Sequence, residues 1–152
     1  MVNISYMMYQ KAMLFNDQAS GTKILKRGLH PRKIKALGRK VTNFSEETWN
    51  ANREAIVRRG NYLKFTNAVT EDGFYRGATG DIPLVEGSLK ETLLATGEKE
   101  LVEASPFDAI WGVGYKEADA DMCREHWGLN LLGKALMEVR DVLRKENQEN
   151  RD

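Results

Sequence analysis

Apolar positions in this chain recur at helical spacing far more often than they alternate. Tyr6–Phe15 is the first case: Met8, Ala12 and Phe15 fall on one face, so the chain opens inside a predicted helix. Ser20 is the expected cap of a short helix that carries Ile24 and Leu25 and ends near Gly28. Pro31 suits the first turn of another helix and Gly38 its end. Ser45 is the expected N-cap of a longer helix, with Glu46 and Glu47 well placed for the macrodipole. Trp49, Ile56 and Val57 give it an apolar stripe as far as about Phe65, with Gly60 as a weak point. Ser88 and Glu91 form a capping box ahead of Leu89, Leu93 and Leu94, and Gly97 closes that helix. Leu132, Leu136, Val139 and Leu143 mark a last amphipathic helix, followed by a polar tail that we expect to fray.

Three segments break the pattern. Glu71–Gly87 is rich in glycine and reads as an irregular loop or hairpin, of the kind that often forms a lid or insertion. Leu101–Ala104 is the best strand candidate, although short. Tyr115–Gly128 is acidic and irregular. The expected fold is therefore mainly α, or α+β with a small sheet, in a single compact domain.

Composition narrows the function classes. A chain of 152 residues with 41% hydrophobic and 30% charged residues has the make-up of an ordinary globular domain. A formal net charge of +1 supplies no global field for nonspecific nucleic-acid binding. The single cysteine, Cys123, has no partner for an intramolecular disulfide and no Cys/His cluster around it, which fits a reducing compartment. Without an activating setting, Cys123 reads as a plain half-buried residue before it reads as a nucleophile. No apolar run approaches the ~18 residues that would span a membrane. No secretory signal is visible, and we expect an intracellular, cytoplasmic protein.

The chemistry concentrates in LVEASPFDAIWGVG, Leu101–Gly114. Glu103 and Asp108 offer acid, base or electrostatic chemistry. Trp111 offers a stacking face, and Gly112 and Gly114 let backbone approach a ligand. Each has a structural alternative. Asp108 could start a short turn, Glu103 could pair with a lysine, and Trp111 or Trp49 could be core. Lys11, between Tyr9 and Ala12, either snorkels or meets a phosphate or carboxylate. Arg53 lies one turn from Trp49. The basic run His30–Lys40 reads as a solvated face, with a phosphate contact at Gly38 and Arg39 as the functional alternative. Asn130 could cap the last helix or point its amide into a site, and Gly133 suits a close helix contact.

Taken in order, several segments resemble the NADAR, or YbiA-like, family. They are YMMYQKAMLF (Tyr6–Phe15), KALGRKVTNF (Lys35–Phe44), Trp49–Arg53, LKF (Leu63–Phe65), LLATG (Leu93–Gly97), LVEASPFDAIWGVG and WGLNLLGKALMEVR (Trp127–Arg140). The resemblance implies a family domain over residues 1–146, with a polar tail over 147–152. It implies hydrolysis of a bond between ribose C1 and a nitrogen, in chemistry linked to NAD and ADP-ribose metabolism. Substrates would be phosphoribosylamino intermediates of riboflavin synthesis or an ADP-ribosylated nucleobase, including one in nucleic acid. No cofactor, metal or membrane is implied. Asp108 and Glu103 become the expected catalytic residues. Trp111, Gly112, Gly114, Lys11, Trp49, Arg53, Arg39 and Asn130 become expected substrate contacts. The chain also departs from the family pattern. Ile4 and Ser5 stand where a Glu-His or Glu-Gln pair is usual, the Glu71–Gly87 loop is longer, and we expect an N-terminally truncated member that lacks the family's usual leading segment. The missing glutamate makes a noncatalytic module for ADP-ribose or a related nucleotide the alternative expectation.

Overall fold

A computed structural model describes residues 4–67 and 88–150. The predicted Glu71–Gly87 loop lies outside the described residues. The helices are α1 (Ile4–Leu14), α2 (Gln18–Ile24), α3 (Pro31–Arg39), α4 (Glu46–Thr66), α5 (Leu89–Ala95), α6 (Glu117–Ala120) and α7 (Leu131–Glu149), with a 3₁₀ turn at Arg124–His126. Contacts divide the chain into two units, Met1–Asn61 and Tyr62–Asp152.

In the first unit α1 packs on α2 and α3, and α2 on α3. Met8, Ala12, Phe15, Ile24, Ile34 and Val41 form its core, with Trp49 and Leu37 packed against it. The cap of α2 is Asp17, not Ser20: the Asp17 carboxylate accepts the Ser20 N–H at 2.9 Å. Gly38 does not end α3. It sits inside the helix, where a Cβ would meet the Met8 side chain, with Cγ at 2.9 Å. Gly60 is no weak point either, because its bare Cα lies against the Tyr6 ring. Both glycines serve close helix approach, a non-local demand that looks identical to a helix breaker in sequence.

In the second unit α5 packs on α7 around Leu93, Val139 and Leu143, with Tyr62, Phe65, Leu94, Leu101 and Leu136 alongside. The Ser88–Glu91 capping box forms with both of its hydrogen bonds. The Arg140 guanidinium is buried and donates to the Thr96 hydroxyl and the Lys99 carbonyl, both at 2.8 Å. Arg144 donates to the Gly97 carbonyl. These cations satisfy acceptors beyond the C-terminus of α5, where positive charge is favoured. The last helix continues through Glu149, so the first residues of the polar tail are helical rather than frayed.

The small sheet is not there: among the described residues there is no strand. Leu101–Ala104 is irregular because its pairing partner is not another strand. The Asn130 side-chain amide donates to the Leu101 carbonyl (2.9 Å) and accepts the Glu103 N–H (3.1 Å). The Val113 N–H adds a bond to the Glu103 carbonyl at 3.0 Å. One buried amide has taken the place of a ladder, so the fold is mainly α.

Candidate functional site

In the second unit, Leu101–Gly114 folds as a loop held by its own polar groups and by the start of α7. Oδ1 of Asp108 accepts the N–H groups of Ile110 (3.0 Å) and Trp111 (2.8 Å), and the Asp108 carbonyl accepts the Gly114 N–H at 3.2 Å. This is the local turn that aspartate favours. Oδ2 has no partner among the described residues. Glu103 is exposed, and no lysine or arginine pairs with its carboxylate among the described residues. Gly112 is required where it stands, because a Cβ would lie 2.5 Å from the Glu103 carbonyl oxygen and 2.8 Å from that of Asp108. Gly114 takes a φ of 80°. Trp111 is half-buried.

The start of α7 locks onto this loop. The N–H groups of Leu129, Leu131, Leu132, Asn130 and Gly128 donate to the carbonyls of Ala109, Ile110, Trp111, Gly112 and Val113, at 2.8 to 3.1 Å. These bonds satisfy amides that a helix N-terminus leaves open. Asn130 adopts a φ of 48°, makes no side-chain cap bond and is 4% exposed. Its amide is spent on Leu101 and Glu103 rather than presented to a ligand. The two conspicuous motifs LVEASPFDAIWGVG and WGLNLLGKALMEVR are thus two halves of one hydrogen-bonded assembly.

The first unit carries a different kind of candidate. Lys11 Nζ lies 4.2 Å from the centroid of the Phe44 ring and 5.4 Å from that of Trp49. No carboxylate or other acceptor pairs with it among the described residues, and burial pushes its ammonium below the usual lysine pKa. Arg53 is half-buried on α4, one turn beyond Trp49, and its buried Nε has no partner among the described residues. Asn61, further along α4, is fully buried, and neither amide atom has a partner among the described residues. Arg39 is exposed at the end of α3, and Gly38 beside it is buried within the helix against Met8.

Two residues outside the sequence-derived candidates hold this arrangement. Asp17 is 7% exposed and uses both oxygens, Oδ1 on the Ser20 N–H and Oδ2 on the Thr42 N–H at 3.0 Å. The amides of Thr42 and then Ser20, with the Ser20 hydroxyl, draw its pKa down to about 2. Phe44 follows, set by Asn43 at a φ of 55° and packed edge-on against Phe15, with centroids 5.3 Å apart. The spacing Asp17-Gln18-Ala19-Ser20 is a readable capping signal, but the bond to Thr42 spans too much sequence to be read.

No described helix is long and apolar enough to cross a membrane. Cys123 is free and half-buried.

Comparison with known proteins supplies the lineage. The chain is 40% identical to an N-glycosidase of Acanthamoeba polyphaga mimivirus over 95% of its length and 72% of the relative's. It is 35% identical to the protein irg-1 of Caenorhabditis elegans, over 97% of this chain and 63% of that one. An N-glycosidase of Nostoc punctiforme is 33% identical over 75% of this chain and 56% of its own. The chain thus spans from just over half to under three-quarters of the length of these curated relatives. The model of the NADAR domain matches residues 3–144, and the chain belongs to the NADAR family.

Proposed function

We propose that the chain is an N-glycosidase that hydrolyses the bond between ribose C1 and a nitrogen in a phosphoribosylamino or ADP-ribosyl substrate. The observation that carries this reading is the pair of half-buried cations beside Trp49. Lys11 and Arg53 have been taken partly out of water, yet no carboxylate offsets either among the described residues. Cations in that state favour a bound anion, and a phosphate suits both head groups. Two relatives bear the name N-glycosidase, which supports the class of bond.

Departure of the nitrogen with the bonding electron pair leaves positive charge at C1 and the ring oxygen. A fixed carboxylate oxygen lowers the energy of that charge. Asp108 suits this role, because Oδ1 is tied to two amides and Oδ2 is left over. Water then adds to C1 and gives up a proton, and the departed nitrogen takes up one from solvent and leaves as the neutral base or amine. Glu103, exposed and unpaired among the described residues, is the group we assign to that proton. Trp111, in the same loop as the two acids, is the stacking face available for a base.

The purified chain should release free ADP-ribose from an ADP-ribosylated base, or free base from a phosphoribosylamino compound. Asp108→Asn keeps an oxygen for the two amides, so it should fold normally and lose roughly 10²–10⁴-fold in rate. Saturable binding of ADP-ribose without turnover of either substrate would leave the noncatalytic module standing instead. Neither binding nor turnover would remove both readings.

A further inference from the structure

The Lys11 ammonium lies over two aromatic faces, and the nearer one belongs to Phe44, which the mechanism above does not use. Phe44 is itself held from two sides. Its ring meets the buried Phe15 edge-on at an interplanar angle of 62°, and its backbone follows a strap anchored by the Thr42 N–H on Asp17. The ring is nevertheless 46% exposed, so core packing does not account for a large aromatic there.

We propose that Phe44 is the positioning residue of a phosphate receptor whose contact group is the Lys11 ammonium. The face of Phe44 attracts the cation and fixes where it stands. An ammonium has three donors and no acceptor. Nothing among the described residues accepts from Lys11, so its N–H donors remain for an anion's oxygens. Trp49, at the longer distance, contributes less to holding the ammonium. The ligand chemistry is a phosphate or diphosphate ester. This rests on the ribosyl-phosphate reading of the same residues and adds to it the group that sets the cation's position.

The test is calorimetric titration of the full chain with ADP-ribose, inorganic pyrophosphate and adenosine. Phe44→Leu should weaken ADP-ribose and pyrophosphate roughly 5–10-fold, the range expected for losing one cation–aromatic contact. Phe44→Tyr keeps the face and should bind within about twofold of wild type. Adenosine, which carries no phosphate, should behave alike in all variants. In a Lys11→Gln background, Phe44→Leu should change phosphate affinity by less than about twofold, because the two act as one unit. Equal losses for adenosine and ADP-ribose in Phe44→Leu would overturn the proposal, as would a full Phe44→Leu effect in the Lys11→Gln background. Absence of pyrophosphate and ADP-ribose binding in the wild type would overturn it too. Should Phe44→Leu unfold, failure of Phe44→Tyr to retain phosphate binding in a folded protein decides against it. Phe44-dependent phosphate binding with no base release would retain the receptor and remove the glycosidase reading alone.

Discussion

The two units place their chemistry-bearing side chains by opposite means. In Met1–Asn61 the candidate groups are cations that no carboxylate pairs with among the described residues. Lys11 stands over Phe44 and Trp49, and Arg53 keeps a buried Nε with no partner among the described residues. In Tyr62–Asp152 the candidate groups stand on a hydrogen-bonded loop, and part of their polar capacity is spent on holding it. Asp108 gives one oxygen to two amides, and Asn130 gives its whole amide to Leu101 and Glu103. The first arrangement leaves binding potential at some cost in desolvation. The second fixes the loop and leaves over Asp108 Oδ2 and the Glu103 carboxylate. A family motif therefore does not translate directly into a contact list, since part of it exists to hold the rest.

If that contrast is right, Gly133 in the second unit and Gly21 in the first should differ sharply in tolerance. A Cβ on Gly133 would overlap the Leu101 carbonyl oxygen and the Asn130 side chain, which are backbone and an amide already fully bonded. Gly133→Ala should destabilise by about 3 kcal/mol or more. A Cβ on Gly21 would meet Met13 Cε at 2.5 Å, the free end of a flexible side chain. Gly21→Ala should fall within about 1 kcal/mol of wild type, because the Met moves and alanine favours the helix. Urea unfolding of the two variants checks this, and comparable losses would break the contrast.

The next effect tests the amide in place of a sheet. Asn130→Ala removes both bonds to the Leu101–Glu103 segment and puts an alanine at positive φ. The expected cost is about 2 kcal/mol, with amide exchange at Glu103 rising towards the global limit. Unchanged protection at Glu103 would mean that the Asn130 carbonyl oxygen is not its effective acceptor.

These cases show what sequence could carry. The helices with local signals were legible: the Ser88–Glu91 box, Ser45 before α4 (its hydroxyl accepts the Thr48 N–H), and the α7 stripe ending in Leu143. The sheet was misread because a short apolar run before a glycine-rich loop has no periodicity to separate a strand from a paired irregular segment. The joining of residues 109–113 to 128–132 uses backbone atoms, which every residue has, so nothing in the side-chain pattern announces it. The acids and Lys11 were legible as residue types. Which of their oxygens are bonded and which are left over, and the part played by Phe44, depend on contacts that only the fold provides.

The smallest effect is electrostatic and belongs to Asp17, a first-unit carboxylate whose oxygens are both taken up by backbone amides, in the manner of the second unit's loop. Those amide partners hold the native pKa at about 2, against an ordinary value of 3.8. Between these values the unfolded chain binds the proton more readily than the native one, so stability falls as pH drops from about 4 to about 2. Above that window the contribution is fully present, and below it the contribution is gone. Asp17→Asn should therefore be less stable than wild type at neutral pH, and the difference should narrow across this acid window. Loosening of the Thr42 strap should accompany it, since one amide oxygen cannot reproduce both acceptors. Denaturant midpoints of the two proteins from pH 2 to pH 7 measure the gap. A gap that stays constant over that range would assign the role of Asp17 to shape alone and remove the charge from the strap that carries Phe44.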